Sequence, residues 1–340
     1  MPEERSQIAI AEDVARLANV SLSSVSRAFT PGESVAPKTR ERILAAAAEV
    51  GYRPNQIARS LMRGRSNIVG VGVGNLTNPF LSAALDALTI RLSLVGLRLL
   101  LFATDNASIV EASIDEVLQY RLDAVILLGV SPSDHLLTEC DRARVPVILF
   151  NRRGDEGGGA SGVSGDNDGG GRSIAAFLAA GQHKRFAFIA GIGASQASRE
   201  RGEGYACYLA ENGYSEPIVE EGRHTYSDAS AATRRLLLAR ERPDAIFCAN
   251  DLMAMAAMDV ARSEFGLDVG REVSIVGFDD VAMAQWPSFA LTTYAQSTEA
   301  MVDEMIALIQ IARSGGAPSN RIVGGSLVIR SSARRPGNGP

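Results

Sequence analysis

Residues 10–29, IAEDVARLANVSLSSVSRAF, contain two short helical patterns separated by a tight break. In the first pattern, helical spacing gathers the larger apolar side chains on one face. That face carries Ile10, Val14, Leu17 and Ala18. Residues 19–21 interrupt the pattern, and the hydroxyl of Ser21 can cap the helix that follows. The stretch therefore predicts two short helices joined by a tight turn.

The second of these helices, predicted over 22–29, turns Val25 inward and leaves four side chains outward. The outward residues are Leu22, Ser23, Ser26 and Arg27. Such a pair of helices can place its second helix in the major groove of DNA. Arg27 could then bind O6 and N7 of a guanine, a contact worth about 1–3 kcal/mol of discrimination. A small helical domain with a solvated arginine fits the same pattern, so the helices alone leave both interpretations open.

The next residues complete an all-helical segment. We predict a third helix over 38–50 that ends at Gly51, a usual residue just beyond a helix. A fourth helix is predicted over 54–63 and begins with a proline, as first helical turns often do. Residues 1–65 hold ten Lys and Arg against seven Asp and Glu, whereas the remainder holds 24 against 32. A basic segment on an acidic body indicates that the segment meets a polyanion.

From Ile68 the pattern changes to apolar runs that alternate with amphipathic helical stretches, which is typical of parallel sheets covered on both faces. The predicted strands are Ile68–Gly74, Leu97–Ala103, Ala124–Gly129, Pro146–Phe150, Phe186–Ala190, Ile218–Glu220, Asp244–Ala249, Val273–Phe278 and Leu327–Arg330. The glycine-rich stretch 157–171 separates two series of strands. It is either a surface loop or the boundary between two α/β lobes.

Several absences limit the function classes. No apolar run reaches the roughly 18 residues that span a bilayer, and residues 1–7 lack the apolar core of a signal peptide. Cys140, Cys207 and Cys248 lie far apart, which favours reduced cysteines over a disulfide or a metal site. We expect a cytoplasmic protein with no membrane partner.

Polar side chains follow several predicted strands at the point where each strand ends. They include Asn75, Asn78, Asn151, Asn250, Asp251, Asp279 and Asp280. Because ligands bind beyond the carboxyl ends of parallel strands, and because amides and carboxylates can bridge neighbouring hydroxyls, these residues predict a cleft for a polyhydroxylated ligand. Helix caps and turns use the same residue types, but their recurrence at strand ends favours the cleft.

Two motifs resemble sites of other chemistry. Residues 70–74, GVGVG, imitate part of a dinucleotide fingerprint but lie within a strand rather than opening a helix. The pair Asp279–Asp280 could suggest a metal or acid–base catalysis, yet no histidine or nucleophile pattern accompanies it. We therefore expect no cofactor, no metal and no enzymatic activity.

The helical segment closely resembles the headpiece of the LacI/GalR family of transcription regulators. The matching residues are Asp13–Ser21, Val25–Arg27, Thr39–Ile43, Gly51–Asn55 and Ala58–Leu61. The resemblance implies that Leu22, Ser23 and Arg27 read bases, with Ser26, Asn55 and Arg59 beside them on the DNA. It also implies a hinge helix whose Leu61 wedges into the minor groove and kinks the duplex. The chain departs from the family at Ala9, where a threonine cap is usual, and at 28–31.

The remainder, from about Asn67 to Ser332, resembles the core of the same family and of periplasmic sugar-binding proteins. The resemblance assigns effector contacts to Phe80, Leu81, Asn151, Arg201, His224, Asn250 and Asp279. It favours a surface role for Arg199. His224 stands where relatives often have a stacking aromatic, although a surface histidine fits almost as well. Asn151 stands where aspartate is frequent, which leaves the charge of the ligand open.

Together these features predict an α/β protein with an all-helical helix-turn-helix headpiece and a two-lobed parallel-sheet core of the periplasmic-binding-protein type I kind. The predicted order is headpiece 1–53, hinge helix and linker 54–66, core 67–332 and disordered tail 333–340. Within the core, the first lobe takes 67–165 and 295–324, and the second takes 166–294 and 325–332.

The expected function is repression of transcription from a pseudo-palindromic operator by a homodimer. The expected effector is a monosaccharide or a sugar acid. A transport-linked binding protein and an α/β enzyme are the rival classes. The headpiece argues against the first, and the lack of a catalytic constellation argues against the second.

Overall fold

The computed structural model describes residues 9–30, 33–53, 66–104, 114–155 and 157–337. The chain divides into two compact units, Met1–Ser66 and Asn67–Pro340. We call the first the headpiece and the second the core, and each is described by itself.

The described residues of the headpiece form three helices, α1 (Ala11–Leu17), α2 (Leu22–Ala28) and α3 (Pro37–Glu49). The fourth helix predicted over 54–63 lies outside the described residues. Ser21 caps α2, since its hydroxyl accepts the backbone N–H of Ser24 at 3.3 Å. The small interior is built from Val14, Ala18, Val25, Ala28, Ile43, Ala46 and Ala47. The apolar face predicted for α1 is only partly buried, because Ile10 is 51% exposed and Leu17 is 46% exposed.

Two arginines of α3 bind the carbonyl groups that the shorter helices leave free at their ends. Arg40 donates to the carbonyl oxygens of Ala28, at 2.8 Å, and of Glu33, at 3.0 Å. Arg42 donates to the carbonyl of Ala18 at the end of α1. The last carbonyls of a helix have no partner within it, so these arginines hold both short helices against α3.

The core consists of two six-stranded sheets with helices between the strands. In chain order its elements are β1 (Ile68–Val73), α4 (Pro79–Leu94), β2 (Arg98–Thr104), β3 (Ala124–Leu128), α5 (Asp134–Arg142), β4 (Val147–Phe150), β5 (Ala160–Gly165), α6 (Asn167–Ala180), β6 (Phe186–Ala190), α7 (Gln196–Glu211), β7 (Ile218–Glu221), α8 (Tyr226–Leu238), β8 (Ala245–Cys248), α9 (Asp251–Ser263), β9 (Ser274–Asp279), β10 (Thr292–Gln296), α10 (Thr298–Arg313), β11 (Asn320–Val323) and β12 (Gly325–Val328). Two short pieces, a helical stretch at 114–118 and a 3-10 turn at Ala282–Gln285, complete the described regular structure.

The first sheet has the order β11-β5-β4-β3-β1-β2 and is parallel throughout. The second has the order β12-β10-β9-β8-β6-β7 and is parallel except for the β10–β12 pair. The chain passes between the sheets after β5, after β10 and after β11. The two sheets therefore form two lobes that are joined by three connecting segments.

Most predicted strands agree with the observed ones within one or two residues. The last strand lies at 325–328 rather than 327–330. Three observed strands, β5, β10 and β11, were not predicted from the sequence. The glycine-rich stretch 157–171 is not a surface loop: it contains β5, whose six residues are all buried, and the first residues of α6. Glycine allows close packing there, since a Cβ on Gly162 would meet the carbonyl oxygen of Arg152 at 2.4 Å.

The prediction of disorder for 333–340 is wrong at its beginning. Ala333 is buried, and the backbone N–H of Arg334 donates to Ser274 Oγ at 2.8 Å. Ser332 exchanges hydrogen bonds with Ile275 on β9. The end of the chain is thus anchored to the second sheet by its backbone, which a composition rich in Arg, Pro and Gly does not reveal.

Candidate functional site

The headpiece presents one exposed helix surface at α2. Leu22 is 48% exposed, Ser23 and Arg27 are also exposed, and Val25 lies in the interior. Arg27 Nε donates to the carbonyl oxygen of Ser23 at 3.3 Å, so the guanidinium lies along the helix. Ser26 is half-buried. The surface offers an apolar group, a hydroxyl and a cation side by side. The other predicted DNA contacts, Asn55, Arg59 and Leu61, lie outside the described residues.

The core encloses a cavity of about 270 Å³ at the carboxyl ends of strands from both sheets. All nine residues predicted as effector contacts line it, namely Asn75, Asn78, Phe80, Leu81, Asn151, Arg201, His224, Asn250 and Asp279. They come from strand ends, from the loops that follow them and from the helices α4 and α7, and they are up to 204 positions apart in the chain. The carboxyl ends of parallel strands lie at the same edge of a sheet, so the parallel order brings these residues together.

The wall formed by the first sheet is largely apolar. Phe80 and Phe150 stack with ring centroids 5.5 Å apart, and Leu81 lies beside them. Two asparagines of this wall, Asn75 and Asn78, serve as local caps. Asn75 Oδ1 accepts the Thr77 N–H at 2.9 Å, and Asn78 Oδ1 accepts the Phe80 N–H at 3.0 Å. Their amide NH₂ groups can still donate to a ligand.

The wall formed by the second sheet contains a buried cation, Arg201, which is 2% exposed. Its Nε donates to Asn167 Oδ1 at 2.8 Å, and its Nη1 donates to the carbonyl oxygen of Ala249 at 2.6 Å. The guanidinium also lies over the ring of Phe278, 3.7 Å from the centroid. Burial lowers the pKa of Arg201, and nearby carboxylates, above all Asp279, oppose that effect. Arg201 is therefore a charged group held in one orientation before any ligand binds.

Asp279 forms the counter-charge. Its Oδ1 lies 3.6 Å from Arg201 Nη1 and accepts the side-chain amide of Gln296 at 2.8 Å. Burial raises the pKa of Asp279 to about 6, although Arg201 and the Gln296 hydrogen bond both lower it. Asp279 and Asp280 adopt positive φ angles, 123° and 58°. Asp251 holds this turn, because its buried carboxylate accepts the Val281 N–H at 2.9 Å.

Four buried polar atoms of the cavity residues have no hydrogen-bond partner among the described residues. They are Asn151 Oδ1, Arg201 Nη2, His224 Nδ1 and Asn250 Nδ2. Asn250 also caps α9 through Oδ1, so only its amide nitrogen is free. Buried polar atoms in proteins are normally satisfied. An unsatisfied group on each of four cavity residues therefore indicates a polar ligand.

His224 is a cavity residue rather than a surface one. Burial, assisted by the charge of Arg201, lowers the pKa of His224 to about 4, so the ring is neutral at pH 7. The ring packs closely against Gly191, which follows β6, since a Cβ at that position would meet His224 Nε2 at 2.0 Å. His224 can therefore offer either a flat ring face or a single neutral nitrogen to a ligand. Arg199, in contrast, is exposed.

Sequence reasoning missed further residues of the cavity lining. Ser131, Arg152, Ile192, Ser195, Gln196 and Arg223 also line it. Most of them follow a strand, as Ser131 follows β3 and Arg223 follows β7, so the strand-end rule applied to every strand would have found them. Arg152 Nη1 donates to Ser131 Oγ at 2.6 Å, so the cavity lining holds Arg152 and Arg223 as cations in addition to Arg201.

The described residues contain no cluster of three or more side chains arranged to hold a metal ion. In the same part of the chain, no helix is both long and apolar enough to cross a membrane.

Comparison with known proteins gives matches over both units. The model for bacterial regulatory proteins of the lacI family matches residues 11–55, and that for a periplasmic binding protein-like domain matches residues 174–333. The HTH-type transcriptional regulator CelR of Thermobifida fusca is 34% identical over 340 residues, covering 97% of this chain and 99% of that protein.

Solved structures also resemble nearly the whole chain. A complex of the transcriptional regulator CelR with cellobiose has a TM-score of 0.72 at 31% identity, covering 95% of this chain and 99% of the other. A lac repressor dimer bound to operator and the anti-inducer ONPF has a TM-score of 0.86 at 26% identity, covering 96% and 100%.

Proposed function

Because the chain belongs to the lacI family of bacterial regulatory proteins, we propose that it is a transcriptional repressor whose affinity for operator DNA depends on a small ligand in the core cavity. The observation that carries the proposal is the cavity itself. One chain combines a helix-turn-helix headpiece with a cavity whose lining leaves four polar atoms unsatisfied. Such atoms are available to form hydrogen bonds with a polar ligand that enters the cavity.

The headpiece supplies the DNA contacts. Leu22, Ser23 and Arg27 stand exposed on α2 at the positions that a recognition helix presents to base edges. Leu22 is apolar and suits a thymine methyl, whereas Arg27 suits a guanine. One headpiece covers a half-site, so a homodimer on a pseudo-palindromic operator gives the required affinity. We assign the hinge contacts to Asn55, Arg59 and Leu61, and we place the protein in the cytoplasm, with its operator.

The chemistry of the cavity defines the ligand class. Asp279 accepts hydroxyl donors, Asn151 and Asn250 offer one free acceptor and one free donor, and Arg201 offers Nη2. The stacked rings of Phe80 and Phe150, which also line the cavity, suit the apolar face of a sugar ring. A cavity of about 270 Å³ is small for a ligand site. A monosaccharide or a sugar acid meets all of these requirements.

The ligand acts on DNA binding through the arrangement of the two lobes. Its polar contacts come from both sheets, so it binds best when the two walls stand at one particular separation. A ligand shifts DNA affinity only by its difference in affinity for the two lobe arrangements. In a dimer, a change in that arrangement changes the spacing of the two hinges and hence the fit to the half-sites.

The test is a fluorescence-anisotropy titration of DNA from upstream of the protein's own gene. We expect binding at low salt and at physiological salt, and a change of affinity when one of a set of sugars is added, including D-glucose, D-galactose, D-glucuronate and cellobiose. Random DNA of equal length is the control. Equal affinity for both DNAs would contradict the proposal that the protein is a repressor. An operator affinity that no sugar alters would contradict the proposed class of ligand.

A further inference from the structure

Arg153, which follows β4 of the first sheet, makes two contacts with α7 of the second lobe. Its guanidinium forms an ion pair with Glu200, and its backbone N–H donates to Gln196 Oε1 at 3.0 Å. The two partners lie one turn apart on the same helix face. A single residue of the first lobe is thereby tied to the second lobe through its side chain and its backbone.

The ion pair continues into the cavity wall through one buried amide. Glu200 Oε2 accepts Asn167 Nδ2 at 3.1 Å, and Asn167 Oδ1 accepts Arg201 Nε at 2.8 Å. Both Asn167 and Arg201 are 2% exposed. The chain of contacts thus runs from Arg153 at the surface to the cation of the cavity. Each group has a defined orientation, because the amide of Asn167 uses both its oxygen and its nitrogen.

We propose that Arg153 and Glu200 form a latch between the lobes, and that Glu200 and Asn167 are positioning residues that orient Arg201 for the effector. The inference rests on the proposed function, since it concerns the same cavity. The latch stabilises the lobe arrangement in which Arg201 faces the ligand. It also explains why the Glu200 side chain, only 17% exposed, has a hydrogen-bonding partner in each lobe, Arg153 in the first and Asn167 in the second.

The rival interpretation is an ordinary surface ion pair, which contributes little. The chain offers a matched control for it. Arg172 and Glu211 join α6 to α7 within the second lobe, with Nη1 to Oε2 at 2.8 Å and Nη2 to Oε1 at 3.1 Å. This pair is more exposed than the latch at its carboxylate and does not cross between the lobes. Breaking it should leave the lobe arrangement unchanged.

The decisive experiment measures the distance between the lobes without any ligand. Spin labels are placed at Asp134→Cys on the first lobe and Ser227→Cys on the second, both exposed at the cavity end of their helices. Cys207→Ser removes the exposed native thiol. Excess unlabelled protein ensures one labelled protomer per dimer. Electron–electron double resonance then gives the distance distribution.

We expect Arg153→Ala and Glu200→Gln to shift or broaden that distribution, and Arg153→Lys and Arg172→Ala to leave it as in the parent. An unchanged distribution in Arg153→Ala, or an equal change in Arg172→Ala, overturns the latch.

A second arm uses thermal shifts with D-glucose, D-galactose, D-glucuronate and cellobiose. For a sugar that stabilises the wild type, we expect Arg153→Ala to weaken binding roughly tenfold, within the range of coupling between sites, and Arg172→Ala to leave it unchanged. Wild-type affinity in Arg153→Ala overturns the coupling to Arg201. If none of the sugars stabilises the wild type, the proposed ligand class fails, and the distances alone then uphold or overturn the latch.

Discussion

The headpiece and the core place their functional residues in opposite environments. On the headpiece, Leu22 and Arg27 are exposed on the surface of a seven-residue helix. In the core, Arg201 and Asp279 are buried, paired and held by further hydrogen bonds. Surface substitutions away from packed features cost little stability, whereas breaking a buried pair leaves an uncompensated charge. Recognition of DNA and recognition of the ligand should therefore respond differently to mutation.

The largest expected effect is that of Arg201→Ala. Removing this cation leaves the buried Asp279 without its partner, so the carboxyl group must either stay ionised unpaired or take up a proton. The loss of the buried pair should reduce the free energy of unfolding by about 3–5 kcal/mol. Urea denaturation measures the loss. The matched control is Arg172→Ala, which breaks an exposed ion pair and for which we expect a much smaller loss. Equal losses in the two variants would contradict the difference between buried and exposed sites.

Arg27→Ala should leave stability unchanged and weaken operator binding by about 1–3 kcal/mol, with relaxed preference at one base pair. Anisotropy titrations on the operator and on random DNA measure this effect. If binding to both DNAs falls equally, Arg27 contacts only a phosphate. If thermal stability falls as well, the helix surface is not free of packing as described.

The third prediction concerns pH. Asp279 has a pKa of about 6 in the folded protein, so one unit below that value roughly nine tenths of it is protonated, and affinity for a hydroxyl-bearing effector should fall about tenfold by pH 5. Calorimetric titration of the effector at pH 7 and pH 5 checks this. Asp279→Asn should bind weakly at both pH values. A wild-type affinity that is the same at both would contradict the role of the ionised carboxylate.

Asp279 and His224 make opposite contributions to the pH dependence of stability. The raised pKa of Asp279 means that the folded state binds more protons than the unfolded state between about pH 4 and 6, so its contribution to stability falls as pH rises there. The pKa of His224 is lowered from 6.5 to about 4, so its contribution rises with pH over nearly the same window. Asp279→Asn removes one contribution, and that variant should lose more stability than the wild type between pH 7 and pH 5.

The smallest expected effect is that of Arg40→Ala, which should differ from that of Arg27→Ala. Arg40 binds the carbonyl groups of Ala28 and Glu33 rather than facing solvent, so Arg40→Ala should destabilise the headpiece by about 1 kcal/mol. Operator affinity should fall only through the loss of folded headpiece. Hydrogen exchange of the α2 amides measures the opening. Unchanged protection of those amides in Arg40→Ala would contradict the capping role.

The sequence allowed prediction of the elements with periodic patterns and of the cavity. The strand-end rule found Asn75, Asn78, Asn151, Asn250 and Asp279, because the parallel order of the strands brings such residues together. The other four predicted lining residues, Phe80, Leu81, Arg201 and His224, came from the family resemblance alone. The search for apolar runs did not predict β5, because its residues Ala160–Gly165 are small and lack the branched apolar run of the other strands. The network behind Arg201 was equally invisible, because Asn167, Glu200 and Arg153 meet only through the way the chain crosses between the sheets.

The central claim is that one equilibrium links the cavity to the operator. The direct test is to titrate the effector calorimetrically with and without saturating operator, and to titrate operator by anisotropy with and without saturating effector. Linkage requires that the two affinity ratios be the same factor. We predict equal ratios, typically 5- to 150-fold, in the wild type and ratios near one in Asp279→Asn. A ligand that binds the wild-type cavity while leaving operator affinity unchanged would contradict the account.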